Sequence, residues 1–530
     1  MGPDGTSYVD IAMETAKNGP STLVNGFWSP AYPAVLAVAF YLFRPSPLNQ
    51  FPLVHLVNYL IFVLTLWSFT FFLKSWLAVR RTAGMAEEEP HIIPFSFSLF
   101  LWFTMNLITP GEVSPDMGVA AIIFLAAGVC FRLSLPGSNW TRFLLLGGIL
   151  GAGFYAKAVI VPVGCFLLAL LFLRPPSRPG SRLGVILAGV VFLIISAPLM
   201  GLISQHVGHL SFGETGRLNY LWHSAGLRPL HEGWTGGPDG RHGIPEHPPR
   251  ILVANPKTLE FAGPVKGTYP LWYESSYWYA GAKGSLDIKE QIVALKITLS
   301  GYWVICQEMS ALFAGALVLG LLGLRRNVFP ARDRNYVWFL IWPTCVCLMY
   351  SIVWFEPRYV SAFLLLFWLA AYTWLWSGVT FAVRSALLLT VVGALYIPMA
   401  GHLATATARS VHGILSFEPP DYAIAGDALQ AAGLHRGDRL ASVGAAFDAY
   451  YAQYAGMRFV AEVVDVQAFA HINPAEFAKL KDRLAEIGVK ALVSFDKPIT
   501  SGADGWQGII LPESQPFRFV LLNPPGQNGP

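Results

Sequence analysis

Charged residues are scarce in this sequence, and its Lys and Arg residues are not concentrated in one basic region. Asp, Glu, Lys and Arg make up only 13% of the 530 residues, whereas 54% of the residues are hydrophobic. Soluble domains carry about 25% charged residues on average, so the composition excludes a soluble protein. The net charge is only +4, and the Lys and Arg residues fall in short loops between apolar runs. We therefore predict a membrane protein and no nucleic-acid partner.

Cysteines are few, and the residues before Asp4 do not predict a signal peptide. The five cysteines all lie in apolar stretches without metal-ligand spacing: Cys130, Cys165, Cys306, Cys345 and Cys347. We expect them to pack as small apolar side chains, with no disulfide and no cysteine chemistry. The residues that precede Asp4 are too few to form a signal peptide. Either an internal helix starts membrane insertion, or the start site is misplaced.

Long apolar runs predict about ten membrane-spanning helices. The runs cover residues 52–75, 93–109, 116–133, 141–155, 157–173, 183–203, 299–324, 336–354, 359–377 and 382–401. The stretch 27–43 is also apolar, but Pro30 and Pro33 interrupt it, so we predict an interfacial or re-entrant helix there. The predicted fold class is an all-α polytopic membrane protein with a small C-terminal α/β soluble domain.

Basic residues in the short loops predict how the helices are oriented. These residues are Lys74, Arg80, Arg81, Arg132, Arg142, Arg174, Arg178, Arg182, Arg325, Arg326, Arg332, Arg334 and Arg384. One alternating topology places all of them in the cytoplasm. It gives an outer-face loop with a juxtamembrane helix (1–51), two sets of transmembrane helices (52–203 and 299–401), a large periplasmic loop (204–298), and a periplasmic α/β domain with a disordered tail (402–530).

Two outer segments have distinctive compositions. The loop 204–298 is rich in Gly, Pro, His, Trp and Tyr, which suits a lid or a sugar-stacking surface, or equally an aromatic belt that anchors the loop. The last 110 residues alternate between helical and strand patterns. Helices are predicted at 421–432 and 474–487, and strands at 439–443, 459–464 and 490–494. A lone glycine in the turn at 443–446 is weak support for nucleotide binding, so we expect a docking or structural module.

Carboxylates stand at the predicted outer membrane boundary, where a charge is costly unless function or pairing compensates. Asp4 and Asp10 lie six residues apart in the first outer segment. Glu112 and Asp116 flank the start of the span at 116–133. Asp116 is a candidate site residue or, with equal weight, a helix N-cap that satisfies free backbone N–H groups.

Two basic residues at the same boundary are candidates for phosphate binding. Arg358 puts a permanent cation at the mouth of a span, and the alternative is an ion pair with Glu356 or interfacial snorkelling. Lys157 lies between two short spans. It is either a second phosphate contact or, as we slightly favour, a snorkelling side chain. The histidines of the long loop show no His-x-x-x-His pattern, so the metal signal is weak.

These segments resemble the GT-C superfamily of polyprenyl-phosphate-sugar-dependent glycosyltransferases, which includes protein O-mannosyltransferases and the aminoarabinose transferases of lipid A. Residues 4–12 and the sequence GFWSPAYP at 26–33 resemble the first outer loop of bacterial members. The sequence EPRY at 356–359 is similar to a motif that opens a late helix. The resemblance covers most of residues 4–400 and implies a GT-C-like helical bundle. Family members have a transmembrane helix just before the acidic residue, so we expect the gene model to be truncated.

The resemblance also implies roles for single residues. Asp4 would act as general base on an acceptor hydroxyl, and Asp116 or Glu112 would orient the acceptor or help to hold a divalent metal. Arg358 and Lys157 would stabilise the charge that grows on the phosphate. The remaining candidates for substrate binding are Tyr359, Tyr8, Asp10 and Trp28.

The implied function is transfer of a sugar from a polyprenyl-phosphate carrier to an acceptor hydroxyl by inverting displacement. The partners would be a lipid-linked sugar donor and a lipid, glycan or protein acceptor. A divalent metal is the candidate cofactor. The expected location is the bacterial inner membrane, with the active face and the C-terminal domain on the periplasmic side. Two alternatives stay open: a transporter or flippase for a lipid or solute, and a non-catalytic membrane assembly protein.

Overall fold

The computed structural model describes most of the chain. The described residues are 2–137, 139–175, 180–227, 242–325, 336–376, 379–416, 419–495, 505–512 and 516–522. The predicted basic residues Arg178, Arg326, Arg332 and Arg334, the histidine at 231 and the predicted disordered tail after residue 522 lie outside these ranges. Apolar helices form one part of the described structure, and an α/β unit forms the other.

The helical part contains several helices that are long and apolar enough to cross a membrane. Its helices are α1 (Pro3–Asn18), α2 (Ala31–Phe43), α3 (Pro47–Thr82), α4 (Glu89–Phe103), α5 (Asp116–Leu133), α6 (Trp140–Ala156), α7 (Ile160–Leu173), α8 (Ser181–Val207), α9 (Thr215–His223), α10 (Pro270–Tyr273), α11 (Ser275–Trp278), α12 (Ile288–Glu308), α13 (Ser310–Arg325), α14 (Tyr336–Val353), α15 (Pro357–Leu375) and α16 (Phe381–Ser416). Six pass the length and hydropathy test among the described residues, namely α3, α4 with its π-helical extension, α5, α8, α15 and α16.

The other predicted spans are short or bent. Helices α12 and α13 pass the test only together, and they are bent by 74° at their junction. Helices α2 and α7 and residues 338–353 of α14 are apolar but shorter than 18 residues. The predicted fold class is confirmed: the chain is a multi-pass helical membrane protein with a small α/β region near its C-terminus.

Close helix packing in the bundle depends on glycines at two contacts. A Cβ at Gly147 of α6 would lie 2.3 Å from the backbone oxygen of Ala188 in α8. A Cβ at Gly128 of α5 would lie 2.7 Å from the ring of Phe71 in α3. Small residues let helix backbones approach closely where lipid provides no hydrophobic driving force. These contacts hold the span pairs α6–α8 and α3–α5 together.

The first segment of the chain is a helix, whereas the sequence was interpreted there as part of an outer loop. Helix α1 starts with Pro3, whose fixed φ suits the first helical turn. One face of the helix buries Tyr8, Val9, Ile11 and Ala12 against neighbouring elements. Polar residues dilute the apolar pattern of this segment, so its helicity depends on tertiary packing.

The α/β unit is built around a seven-stranded sheet with the order β1-β2-β4-β3-β5-β7-β6. The strands are β1 (Arg250–Val253), β2 (Thr258–Glu260), β3 (Arg439–Val443), β4 (Arg458–Val463), β5 (Val489–Phe495), β6 (Gln507–Ile509) and β7 (Phe517–Leu521). The three central strands are parallel, and the flanking pairs are antiparallel. Its helices are α17 (Asp421–Ala431), α18 (Tyr450–Ala455), α19 (Val466–Ala470) and α20 (Pro474–Glu486).

Two strands of this sheet come from the long loop, which differs from the predicted division of the chain. Strand β2 pairs with β4, and β1 extends the sheet beyond β2. The hydroxyl of Tyr269 donates to Glu462 at 2.8 Å, and the backbone N–H of Phe459 donates to Thr268 at 2.9 Å. The described parts of 204–298 and 402–530 therefore form one structural unit.

Candidate active site at one end of the helix bundle

Arg358 joins three carboxylates that come from different parts of the chain. Its Nη2 lies 2.8 Å from Asp4 Oδ2, its Nη1 lies 3.1 Å from Glu112 Oε1, and its Nε lies 3.5 Å from Asp116 Oδ2. Helix α1, the loop 109–115, and the starts of α5 and α15 supply these four residues. The arrangement differs from the alternative of an Arg358–Glu356 ion pair, because Glu356 instead accepts a hydrogen bond from Trp354.

Lys157 completes the charged cluster. Its Nζ lies 2.5 Å from Asp116 Oδ1 and 3.7 Å from the ring centroid of Tyr359. The side chain of Asp116 is only 3% exposed and that of Lys157 is 17% exposed. Snorkelling of Lys157 and N-capping by Asp116 are both wrong, since Lys157 is engaged inside the protein and the N-cap residue is Pro115. Burial with a partner of opposite charge removes most of the cost of holding these charges in a low dielectric.

The aromatic loop reaches this cluster through Trp272. Its indole Nε1 donates to Asp4 Oδ1 at 3.1 Å. The Trp272 ring stacks on Trp222 with centroids 5.5 Å apart and lies 5.9 Å from Phe27. The sequence indicated only that the loop is dense in aromatic residues, so the contact of Trp272 with the cluster was not predicted.

A polar cavity of about 410 Å³ opens beside the guanidinium of Arg358. Asp4, Glu112, Glu356 and Asn106 also line it. Burial raises the pKa of Glu112, although Arg358 opposes this shift. Burial likewise raises the pKa of Glu356. The carboxyl of Glu112 is 40% exposed, so it is accessible from the cavity.

An apolar groove of about 350 Å³ adjoins the polar cavity, and both are lined by Asn106, Leu107 and Pro357. Its other lining residues are Ile297, Thr298, Gly301, Val304, Ile305, Glu308, Trp354 and Phe355. Helix α12 supplies several of these residues, and Trp303 on this helix is 66% exposed.

The carboxylates do not fit a divalent metal in this arrangement. Arg358 contacts all three of Asp4, Glu112 and Asp116, and Lys157 contacts the last of them. No group of three or more His, Cys, Asp or Glu side chains is arranged to hold a metal ion in the described ranges.

Of the predicted substrate-binding residues, Tyr8 and Trp28 lie next to the charged cluster, and Asp10 lies away from it. Tyr8 is buried, with its ring centroid 4.8 Å from that of Trp28. The indole of Trp28 donates to the backbone oxygen of Trp272 at 2.8 Å, so these two rings lie behind the cluster. Asp10 accepts hydrogen bonds from Thr268 and from Gln453, the latter at 2.6 Å. Burial raises the pKa of Asp10 to about 6, and its contacts join α1 to the α/β unit.

Asn58 positions the loop that carries Glu112, a role that the sequence did not indicate. Its Nδ2 donates to the backbone oxygens of Pro110 and Glu112 at 3.1 and 2.9 Å. Its Oδ1 accepts from the hydroxyl of Tyr32 at 2.7 Å. Asn58 is 4% exposed, so every one of these bonds lies in a low dielectric. A buried Asn in an apolar run is the only signal that a sequence offers for such a residue.

Replacing Asn58 by alanine is expected to destabilise the protein by about 2 kcal/mol, because the two loop carbonyls lose their donor in a buried site. The loop would then hold Glu112 less firmly, and any activity of the cluster is expected to fall about tenfold. Thermal unfolding in detergent measures the first effect. Tyr32→Phe is the matched control, since it removes one bond from Asn58 but leaves both carbonyls paired. Equal stability of Asn58→Ala and wild type would show that these bonds do not hold the loop.

No family model and no curated protein matches the chain. Among solved structures, ArnT from Cupriavidus metallidurans bound to undecaprenyl phosphate matches at 15% identity and a TM-score of 0.45, over 100% of this chain and 95% of that one. The Archaeoglobus fulgidus oligosaccharyltransferase, tethered with an acceptor peptide, matches at 12% identity and a TM-score of 0.46, over 93% of this chain and 64% of that one.

Proposed function

We propose that the protein is a membrane glycosyltransferase that moves a sugar from a polyprenyl-phosphate carrier to an acceptor hydroxyl. The observation that carries the proposal is the cluster in which Arg358 and Lys157 meet Asp4, Glu112 and Asp116. Of these residues, Arg358, Asp4 and Glu112 line the polar cavity. Such a site suits a reaction with an anionic leaving group and a proton to remove. We place it at the periplasmic face of a bacterial inner membrane.

Arg358 and Lys157 are the residues that would hold the donor phosphate. Arg358 is 13% exposed and lines the cavity with its guanidinium. Arginine binds phosphate oxygens in a bidentate manner, and a lysine nearby adds a second positive charge. The adjoining apolar groove would take the first isoprene units of the carrier, so that the phosphate stays at the boundary while the chain remains in lipid.

Asp4 is the proposed general base. Its carboxylate is 22% exposed and lies 2.8 Å from the same guanidinium that would hold the phosphate. In the proposed step the acceptor oxygen bonds to the anomeric carbon, and its proton passes to Asp4. At the same time the bond from that carbon to the phosphate oxygen breaks, and polyprenyl phosphate leaves with the electron pair. A single displacement of this kind inverts the anomeric configuration.

The other two carboxylates have environments that suit different roles. Asp116 is almost fully buried and lies between the two cations, so it fits the positioning of Lys157 and Arg358. Glu112 is accessible from the cavity, so it fits contact with the acceptor, which is a lipid, glycan or protein. Tyr359 would support the cations through its ring, which lies 5.3 Å from the guanidinium carbon of Arg358.

The test uses full-length protein in sealed vesicles with polyprenyl-phosphate sugars that carry a labelled sugar, and with membrane lipids, glycans and peptides as acceptors. The expected result is a labelled product together with free polyprenyl phosphate. Movement of intact labelled carrier across the bilayer would support the flippase alternative and overturn the proposal. Absence of both transfer and movement with every sugar tested would overturn it in favour of a non-catalytic assembly role.

A further inference from the structure

A second cavity, of about 380 Å³, lies where α1 and α2 end and α3 begins. It is lined by Met13, Ala16, Lys17, Phe40, Tyr41, Arg44, Pro45 and Gln50. It shares no lining residue with the polar cavity at Arg358. The cavity combines a buried amide, two cations and apolar side chains, and the proposed transfer reaction uses none of these groups.

Gln50 is the buried polar group of this cavity. It is 7% exposed, and its side chain has no hydrogen-bond partner within the described ranges. The residue lines the cavity, so its amide is suited to a ligand that bonds to it. An amide N–H₂ donates two hydrogen bonds, which an anion would accept.

Lys17 and Arg44 give the cavity a positive charge. Both side chains are exposed, and neither forms an ion pair in the part of the chain that the structure describes. Glu14, on the same helix as Lys17, accepts a hydrogen bond from Asn18 and does not line the cavity. Arg44 has a φ of 44° at the end of α2, in the left-handed conformation where glycine is the usual residue. The two cations therefore face the cavity without a carboxylate that would neutralise them.

The surface beside the cavity indicates that the anion carries acyl chains. Tyr41, Leu42 and Phe43 are 63%, 66% and 67% exposed, and they continue the apolar helix α2 up to Arg44. Large apolar side chains next to basic residues are typical of a helix that lies in the membrane interface. A free phosphate ion would leave these three side chains without a partner, whereas lipid chains would cover them.

We propose that this cavity binds the phosphate head group of an anionic membrane lipid. Lys17 and Arg44 neutralise the phosphate, the amide of Gln50 donates to one of its oxygens, and the acyl chains lie along the exposed residues of α2. Lipid bound here would hold the ends of α1 and α2 against the start of α3. Because α1 also carries Asp4, the bound lipid would steady the helix on which the proposed base stands.

The experiment counts phosphatidylglycerol bound to the full-length protein in neutral detergent by native mass spectrometry. The double variant Lys17→Gln/Arg44→Gln is expected to weaken binding about 25-fold, since each basic residue at an anionic lipid surface contributes about fivefold. Gln50→Leu keeps the side-chain volume and is expected to weaken binding severalfold without loss of stability, because the amide has no protein partner to lose. Phosphatidylcholine is expected to bind weakly to all forms.

Lys289→Gln/Lys296→Gln is the matched control, because it removes the same charge from two exposed positions on α12. Equal loss of phosphatidylglycerol in both double variants would overturn the site, since the effect would then come from net charge alone. Binding of inorganic phosphate alone as tight as that of phosphatidylglycerol would overturn the assignment to a lipid. Unchanged binding in the Lys17/Arg44 variant would overturn the whole proposal. Thermal unfolding without lipid, equal in all forms, confirms that each variant is folded.

Discussion

Replacing Asp4 by asparagine is expected to lower the rate of sugar transfer about 10³-fold, because the side chain can no longer accept the proton of the attacking hydroxyl. Asparagine has the same shape, and its amide oxygen still accepts the hydrogen bond that Trp272 donates to Oδ1 in the wild type. The helix and the cavity wall therefore remain in place. The KM for the donor is expected to change little, since the cations that hold the phosphate stay. Release of labelled sugar from polyprenyl-phosphate sugar at saturating donor measures the rate.

Glu14→Gln is the matched control for this variant. It makes the same chemical change on the same helix, at an exposed carboxylate that accepts a hydrogen bond from Asn18. Transfer by Glu14→Gln is expected to equal that of the wild type. Retention of more than a tenth of wild-type transfer by Asp4→Asn would rule out Asp4 as the general base and would direct attention to Glu112, whose pKa is raised by burial and whose carboxyl is accessible from the polar cavity.

Replacing Arg358 by glutamine is expected to reduce transfer by at least 10³-fold and to weaken donor binding as well. The guanidinium is the positive charge that lines the proposed phosphate position, and removing a preorganised charge that stabilises the leaving group costs about 10²- to 10³-fold by itself. The variant also takes from Asp4 and Glu112 their cation in the cluster, whereas Asp116 keeps its contact with Lys157. Their mutual repulsion is expected to open the cavity wall. Arg358→Lys should restore part of the binding and less of the rate, since it keeps the charge but loses the planar fork.

Arg384→Gln provides the control for a general loss of stability. Arg384 is 8% exposed and donates to backbone oxygens of Trp376 and Val379, beyond the far end of the same helix α15. Its loss should lower the unfolding temperature but leave the donor affinity unchanged. If Arg358→Gln loses stability to the same extent and binds donor as the wild type does, the phosphate role of Arg358 is excluded.

The elements with strong local patterns could be read from the sequence. The span 116–133 and the strand 439–443 have the predicted boundaries in the structure, because a charged residue marks the start of each and most of the residues that follow are apolar. Helix α1 and strand β2 were not predicted. Both contain few apolar residues, and both are stabilised by contacts with segments more than 190 residues away.

The candidate site could be predicted as a set of residue types but not as an arrangement. Costly charges at a membrane boundary identified Asp4, Asp116 and Arg358 as candidates. Nothing in the sequence showed that Arg358 would contact Asp4, which precedes it by 354 residues. Trp272 was one aromatic residue among many in its loop, and Asn58 was one polar residue in an apolar run. Such residues become visible only when the partners of their hydrogen bonds are known.

The seven-stranded sheet takes strands from the long loop and from the C-terminal region, and this determines which part of the protein folds last during synthesis. Strand β2 pairs with β4, and Thr258 lies opposite Val463, so the ribosome adds roughly 200 residues between the two partners, which takes about 10 to 40 s. In that interval helices α12 to α16 must enter the bilayer while the β1–β2 hairpin waits outside it with an unpaired edge. An unpaired edge is a template for wrong pairing. The α/β unit therefore folds last. If the ribosome stalls after α16, strand β2 of the long loop lacks strand β4, with which it must pair.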